Sequence, residues 1–168
     1  MKPLSRRTFL HTSALATAAF SIGRTGFAQQ SPNDKVNIAG IGIGGMGAGN
    51  LGELSKNENI VALCDVDSVY AAPVFAQYPG AKQYSDFRVM LEKQPDIDAV
   101  LIATPDHTHA VIAKAAIEAG KHVYCQKPLT HDVFEARRLA AIAAESKVVT
   151  QMGIQGHSMS GGRQVAEW

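Results

Sequence analysis

The sequence has no apolar run long enough to cross a membrane. A span needs about 20 apolar residues, and the Ala-rich stretch from Ala14 to Ile22 falls far short. The first 28 residues lack any acid, although they carry Lys2, Arg6, Arg7 and Arg24. With those four set apart from the 16 basic residues, 12 stand against 15 acidic ones, a net charge of −3. That balance leaves no basic face and argues against a nucleic-acid partner. Cysteine occurs only twice, at Cys64 and Cys125. What is present is an ordinary globular mixture, 46% apolar and 18% charged. The 168 residues suffice for one domain with a substantial core.

The acid-free start reads as an export leader and not as part of the fold. A basic beginning precedes the Ala-rich run, and Gly26-Phe27-Ala28 offers small residues for cleavage after Ala28. Residues 1–28 are thus expected to be a signal peptide and 29–34 a polar linker. Ser5-Arg6-Arg7-Thr8-Phe9-Leu10 resembles the twin-arginine export signal, with His11 where Lys is usual. An ordinary secretory signal with two adjacent arginines is the alternative. The twin-arginine route carries folded proteins, which suits a chain that loads a cytoplasmic cofactor before export. The expected location is periplasmic or extracellular, with the twin-arginine machinery as partner and no stable membrane insertion once the leader is gone.

From Lys35 onward, apolar runs of strand length alternate with helical patterns. Strands are expected over Val36 to Ile41, Ile60 to Cys64, Lys82 to Tyr84, Asp98 to Ala103, His122 to Cys125 and Val148 to Met152. Helices are expected over Gly45 to Leu54, over Ser68 to Gln77 at least in part, after a Ser85 cap, over His109 to Ala119 and over Asp132 to Ser146. Pro73 suits a first helical turn, so the second helix can begin as late as Ala72. The Asp132 helix is expected to bury Val133, Ala136, Leu139, Ala140 and Ala143. Ser160 can cap a further helix, so residues 35–158 form the domain and 159–168 the start of a following segment.

Strict β/α alternation with continuously apolar strands predicts a parallel sheet covered on both faces. Six strands fit the α/β doubly wound (Rossmann) fold in order 3-2-1-4-5-6. That order places Cys64 and Cys125 three strands apart. At about 4.8 Å per step they lie beyond the roughly 7 Å Cα separation a disulfide tolerates. Two free, mostly buried thiols are expected.

Gly42-Ile43-Gly44-Gly45-Met46-Gly47 follows a strand and opens a helix, the setting that the dinucleotide fingerprint requires. Gly42 permits a tight turn, Gly44 lets a diphosphate approach the backbone, and Gly47 lets the helix pack close to the sheet. Gly45 and Met46 sit at the helix N-terminus, whose N–H groups and positive dipole end attract phosphate. Asp65 ends the second strand, 18 residues after Gly47. A carboxylate there accepts hydrogen bonds from the adenosine ribose and repels a 2′-phosphate, which favours NAD over NADP. Its alternative is a loop cap, a task that suits Asp67 better.

Thr104-Pro105-Asp106-His107-Thr108-His109 follows the fourth strand, where strand order reverses and ligands bind. Thr104, Pro105, His107 and His109 are read as a wall beside the cofactor; the plainer reading is a stiff helix-start turn with His109 packed beneath it. No acidic or cysteine cluster accompanies the two histidines, so no metal is expected. Gln126-Lys127-Pro128 follows the fifth strand. Lys127 there could hydrogen-bond a substrate oxygen and assist proton transfer, or be a solvated surface lysine.

Together these segments resemble the glucose-fructose oxidoreductase / inositol dehydrogenase / MocA-like (Gfo/Idh/MocA) oxidoreductases. The resemblance covers residues 34–168. It rests on the glycine turn, Cys64-Asp65-Val66-Asp67, the run from Ala103 to His109, and Gly120-Lys121-His122-Val123-Tyr124-Cys125-Gln126-Lys127-Pro128-Leu129. It implies a two-domain enzyme holding NAD(H) or NADP(H), often acting on sugars or polyols, with Lys127 as a cofactor-contacting and catalytic residue. The family usually has Glu before that lysine; here Gln126 can still hydrogen-bond the nicotinamide ribose. Exported relatives often have Asn where Ile154 stands, so that contact is lost or taken by Gln155. His157, just beyond, either faces the substrate cleft or caps a loop.

The resemblance also implies a C-terminal substrate domain carrying an acid/base His and nearby Asp, which this chain is expected to lack. In the family that domain's open sheet often pairs subunits, so a homo-oligomer is an expectation for the longer protein. Three functions stay open: hydride transfer between NAD and a sugar or polyol, an NAD-dependent glycoside hydrolase working by transient oxidation, and an NAD-binding fragment without turnover.

Overall fold

The computed structural model describes residues 35–167. The expected leader and linker, over residues 1–34, lie outside the described residues, as does Trp168.

Six strands form one parallel sheet: β1 (Asn37–Ile41), β2 (Asn59–Cys64), β3 (Lys82–Tyr84), β4 (Ala99–Ile102), β5 (His122–Gln126) and β6 (Thr150–Gly153). Their order is β3-β2-β1-β4-β5-β6, as the alternating pattern predicts. Chain direction reverses its march across the sheet between β1 and β4, and the crevice at their carboxyl ends is where such folds bind ligands.

The connecting helices are α1 (Met46–Leu54), α2 (Ala72–Gln77), α3 (Phe87–Lys93), α4 (His109–Glu118) and α5 (Val133–Glu145), with a 3₁₀ turn over Asp106–Thr108 before α4. Two short helices follow β6: α6 (Gln155–Ser158) and α7 (Ser160–Glu167). On one face of the sheet, Leu51, Ala71 and Val74 pack with Ile38, Leu63 and Leu101. On the other, Met90, Ile112, Ala116 and Leu139 pack with Ile41, Val100 and Cys125. Each strand feeds alternate side chains to the two layers, so both apolar faces are used.

Two expectations need correction. Asp86, not Ser85, caps α3: its Oδ1 accepts from Arg88 N at 2.9 Å. Both residues are competent caps, and the extended backbone falls at Asp86. The second helix occupies Ala72–Gln77, starting as late as Pro73 allows, because the Asp67 carboxylate accepts from Val69 N and Tyr70 N and holds residues 67–70 in a turn. In α5 only Leu139 is buried; Val133, Ala136 and Ala140 are exposed. Periodicity identifies an apolar face but does not supply the element that covers it.

Cys64 on β2 and Cys125 on β5 are free, buried and three strands apart.

Candidate functional site

The crossing from β1 to α1 is built on backbone that other residues cannot follow. Gly42 has φ +74° and donates its N–H to Cys64 O at 2.9 Å. A Cβ there would also lie 2.7 Å from Thr104 N and 2.8 Å from the Ala103 carbonyl. At Gly47 a Cβ would overlap Gly42 O, so α1 enters pressed against the turn that launches it. The chain thereby folds back hard enough to aim the start of α1 at the carboxyl edge of the sheet. Gly45, φ +49°, is the N-cap and supplies no side-chain acceptor. The N–H groups of Gly45 and Met46 find no partner among the described residues. Unsatisfied amides at a helix start, backed by the helix dipole, make a seat for an anion.

Asp65 stands across this turn. Its Oδ2 accepts from Ile43 N at 2.9 Å and Gly44 N at 3.3 Å, and its Oδ1 accepts from Asp67 N at 3.0 Å. The carboxylate therefore holds the glycine turn and starts the following loop. The ribose-binding and loop-capping readings are compatible, since an ionised carboxylate offers about four acceptor positions and three are used here. Asp67, as expected, caps the loop itself.

The turn after β4 forms the opposite wall. Thr104, Pro105, His107 and Thr108 line the cleft. His109 does not: it is 1% exposed. Its Nδ1 lies 2.6 Å from Pro128 O and its Nε2 2.8 Å from Thr104 O. Both ring nitrogens face carbonyls, so the ring sits between the β4 turn and the β5 turn instead of touching a ligand. This corrects its place among cofactor-contacting residues and agrees with the plainer reading of a histidine packed beneath the turn.

At the far end of the sheet edge, Gln126 is buried and Lys127 is exposed at the end of β5. Gln155, at the start of α6, donates Nε2 to Gln126 Oε1 at 2.8 Å and approaches Met46 Sδ at 3.9 Å. The structure thus brings together Met46, Gln126 and Gln155. Gln126 Nε2 is buried without a hydrogen-bond partner. His157 is exposed on α6.

Between the glycine turn and the β4 turn lies a cleft of about 480 Å³. Asp65, Val66, Tyr70, Phe87 and Val111 contribute to its walls. Sequence reasoning missed Tyr70, Phe87 and Val111, because no motif spacing marks which loop or helix side chains turn inward. The set fits a dinucleotide. The free amides of Gly45 and Met46 suit a diphosphate, the mostly apolar cleft suits a flat base, and the orphaned Gln126 amide suits an acceptor on the other half of the ligand.

Comparison with known proteins agrees with this geometry. The model of the Gfo/Idh/MocA group, described as an oxidoreductase family with an NAD-binding Rossmann fold, matches residues 35–154. Inositol 2-dehydrogenase 3 of Saccharopolyspora erythraea is 34% identical over 136 residues, covering 79% of this chain and 40% of that protein. Among solved structures, an NAD binding oxidoreductase from Klebsiella pneumoniae is 33% identical with a TM-score of 0.64, over 79% of this chain and 38% of that one. Scyllo-inositol dehydrogenase from Lactobacillus casei, solved with NAD(H) and scyllo-inositol, has a TM-score of 0.72 at 22% identity over 80% of this chain and 40% of that one, and shares the fold. The chain spans at most two fifths of the length of each of these proteins.

Proposed function

This chain belongs to the Gfo/Idh/MocA oxidoreductase family with its NAD-binding Rossmann fold, and from that premise we propose that it seats NAD across the β1/β4 crevice for hydride exchange with a sugar or polyol. The observation that carries the reading is the pair of unsatisfied amides at Gly45 and Met46, with the Asp65 carboxylate facing the same turn. In this reading the amides hold the diphosphate, and the remaining acceptor capacity of Asp65 takes a ribose hydroxyl. A carboxylate at that point repels a 2′-phosphate, which sets NAD above NADP.

Gly42, Gly44 and Gly47 shape the seat, and Thr104, Pro105 and His107 wall it. Met46, Gln126 and Gln155 bound the half nearer β5 and β6. When bound, NAD supplies the acceptor or donor of hydride. In this reading Lys127, exposed just after β5, hydrogen-bonds a substrate oxygen and moves its proton. Inositol dehydrogenases among the relatives support a polyol as the substrate class. No described residue favours glycoside cleavage over plain redox chemistry.

The test is titration of the full chain with NADH and NADPH, followed by nicotinamide fluorescence. Saturable NADH binding with weaker NADPH binding is expected. No saturable binding of either would overturn the assignment, and a preference for NADPH would overturn the role of Asp65.

The proposal extends to residues 1–28 as a twin-arginine leader that exports the folded, loaded domain to the periplasm or beyond the cell, with 35–158 as the cofactor domain. Arg6→Lys with Arg7→Lys should then leave the protein in the cytoplasm in a fractionation experiment. Undiminished export of the double variant would return the leader to the ordinary secretory class.

A further inference from the structure

Tyr70 lies where sequence motifs give no reason to look. An added Cβ at Gly44 would overlap the Tyr70 ring at Cε1 and Cδ1, and one at Gly45 would meet Tyr70 Oη at 3.1 Å. The ring therefore lies along Gly44, which shapes the diphosphate seat, and reaches Gly45, whose free amide helps form it. The absence of a side chain at Gly44 makes room for a tyrosine.

The way the ring is held matters as much as its place. Its backbone is fixed: Tyr70 N donates to Asp67 Oδ1 at 2.9 Å, and Ala71 N donates to Asp67 O at 3.0 Å. Ala71 is wholly buried. The side chain itself is 62% exposed, and its hydroxyl makes no hydrogen bond among the described residues. A rigid anchor thus carries a ring that can turn about its own side-chain torsions into open solvent. Exposed side chains make such rotamer changes in picoseconds to nanoseconds.

Tyr70 also shares its neighbour with Asp65, whose Oδ2 accepts from Gly44 N. Both residues belong to the loop after β2, and both line the cleft. A diphosphate settling on Gly44 and Gly45 would have to displace the ring. Once displaced, the ring stays at the cleft rim, where its face can cover the adenosine half and its hydroxyl can donate to a phosphate oxygen.

We propose that Tyr70 is a lid on the diphosphate seat, turning off Gly44 and Gly45 to admit the diphosphate and closing over the adenosine diphosphate half of NAD. The proposal rests on the NAD reading above and adds a residue that positions the ligand and slows its escape.

The experiment uses the full chain and stopped-flow mixing with NADH. Tyr70→Ala should raise the association rate about threefold, within the range over which such rates vary in one interface. It should raise the dissociation rate about tenfold or more, since most affinity change appears there. Tyr70→Phe should keep the wild-type association rate and raise dissociation by roughly tenfold, the loss of one hydrogen bond to a charged group.

A second comparison separates the ring's packing from the ligand's need for space. Gly44→Ala should leave thermal stability nearly unchanged, because the exposed ring can turn aside, but should weaken NADH binding, and adding Tyr70→Ala should not restore that binding. Restored binding in the double variant would mean that Gly44 serves only Tyr70, and the lid would be refuted. Unchanged rates in Tyr70→Ala would refute it as well. If the wild-type chain itself fails to bind NADH, the fault lies with the NAD assignment, whereas wild-type binding with indifferent Tyr70 variants condemns the lid alone.

Discussion

Gln155 donates its side-chain amide to Gln126 Oε1 across 2.8 Å, and this bond fixes which end of the buried Gln126 amide stays unpaired. The pair stands at the carboxyl ends of β5 and β6, beside Lys127. Gln126 presents a donor there and carries no charge, where the family usually presents a carboxylate.

Removing the donor should therefore be costly. Gln155→Leu would leave both polar atoms of Gln126 without a protein partner in a buried position. An unsatisfied buried polar group costs about 1–3 kcal/mol. The urea midpoint should fall with an unchanged slope, the sign of lost stability without altered compactness. Gln126→Glu tests the neutral charge. Burial raises a carboxyl group's pKa, and the unfolded chain titrates near an ordinary value of about 4.3. Above that pH the unfolded state loses its proton first and gains relative to the fold. The stability deficit of Gln126→Glu against wild type should thus grow as pH rises from 4 toward 7, and a deficit independent of pH would place the side chain in water.

Asp65 gives a second test, and the structure changes which variant is informative. Asp65→Ala removes the acceptor for Ile43 N, Gly44 N and Asp67 N together. It should loosen the seat and weaken NAD and NADP alike. Asp65→Asn keeps one oxygen for the glycine turn while removing the charge. Its NADH affinity should fall and its NADPH affinity should rise, narrowing the ratio between them by about tenfold, the effect of roughly 1.4 kcal/mol. A ratio equal to wild type would show that the negative charge does not choose the cofactor.

Much of this architecture was legible in the residues. β3 matches Lys82–Tyr84, and the sheet order is the one expected of a doubly wound fold with six alternating strands. The glycine turn was legible because its spacing and its strand-to-helix setting are both demanding. What escaped was set by packing in three dimensions. The spacing after Gly47 points Asp65 toward a ligand, yet its oxygens also hold neighbouring amides, and no spacing rule reports both ends of a carboxylate. His109 looked like a wall residue, and only the meeting of the β4 and β5 turns turns it inward onto two carbonyls. Val133 is apolar and in phase with Leu139's helix, but it stays 67% exposed, since nothing described packs on it. Tyr70 carried no signal at all, because a loop aromatic can point either way.

The two thiols predict a pH window. Burial pushes the Cys64 thiol from an ordinary 9.0 up to about 12, with the Asp65 and Asp86 carboxylates adding to the shift, and burial alone does the same for Cys125. Both groups stay protonated in the fold at pH values where the unfolded chain has lost its protons. Their linkage contribution is complete below pH 9.0 and declines as pH rises toward about 12. Equilibrium unfolding should show stability dropping across that interval, and Cys64→Ser with Cys125→Ala should flatten the drop. An aromatic disulfide reagent should label neither thiol in the native protein at pH 8, since the thiolate is the reactive form. Rapid labelling of either one would mean that its strand opens to solvent.

Three glycines of α1 separate what the seat demands from what it merely tolerates. A Cβ at Gly47 would overlap Gly42 O, a backbone atom that no rotamer change can move aside. Gly47→Ala should thus force α1 away from the turn, costing about 1–3 kcal/mol as overpacking does. It should also abolish NADH binding, because the amides of Gly45 and Met46 move with the helix start. Gly49 and Gly52 lie on the same helix, where an added Cβ meets nothing within 4 Å. Alanine there reduces the freedom of the unfolded chain and favours the helix by about 0.4–1 kcal/mol at each site. Gly49→Ala and Gly52→Ala should therefore raise the denaturation midpoint and leave the NADH titration unchanged. If Gly47→Ala were as harmless as these two, α1 would not be pressed against its own turn, and the close approach that aims its amides at the diphosphate would lose its basis.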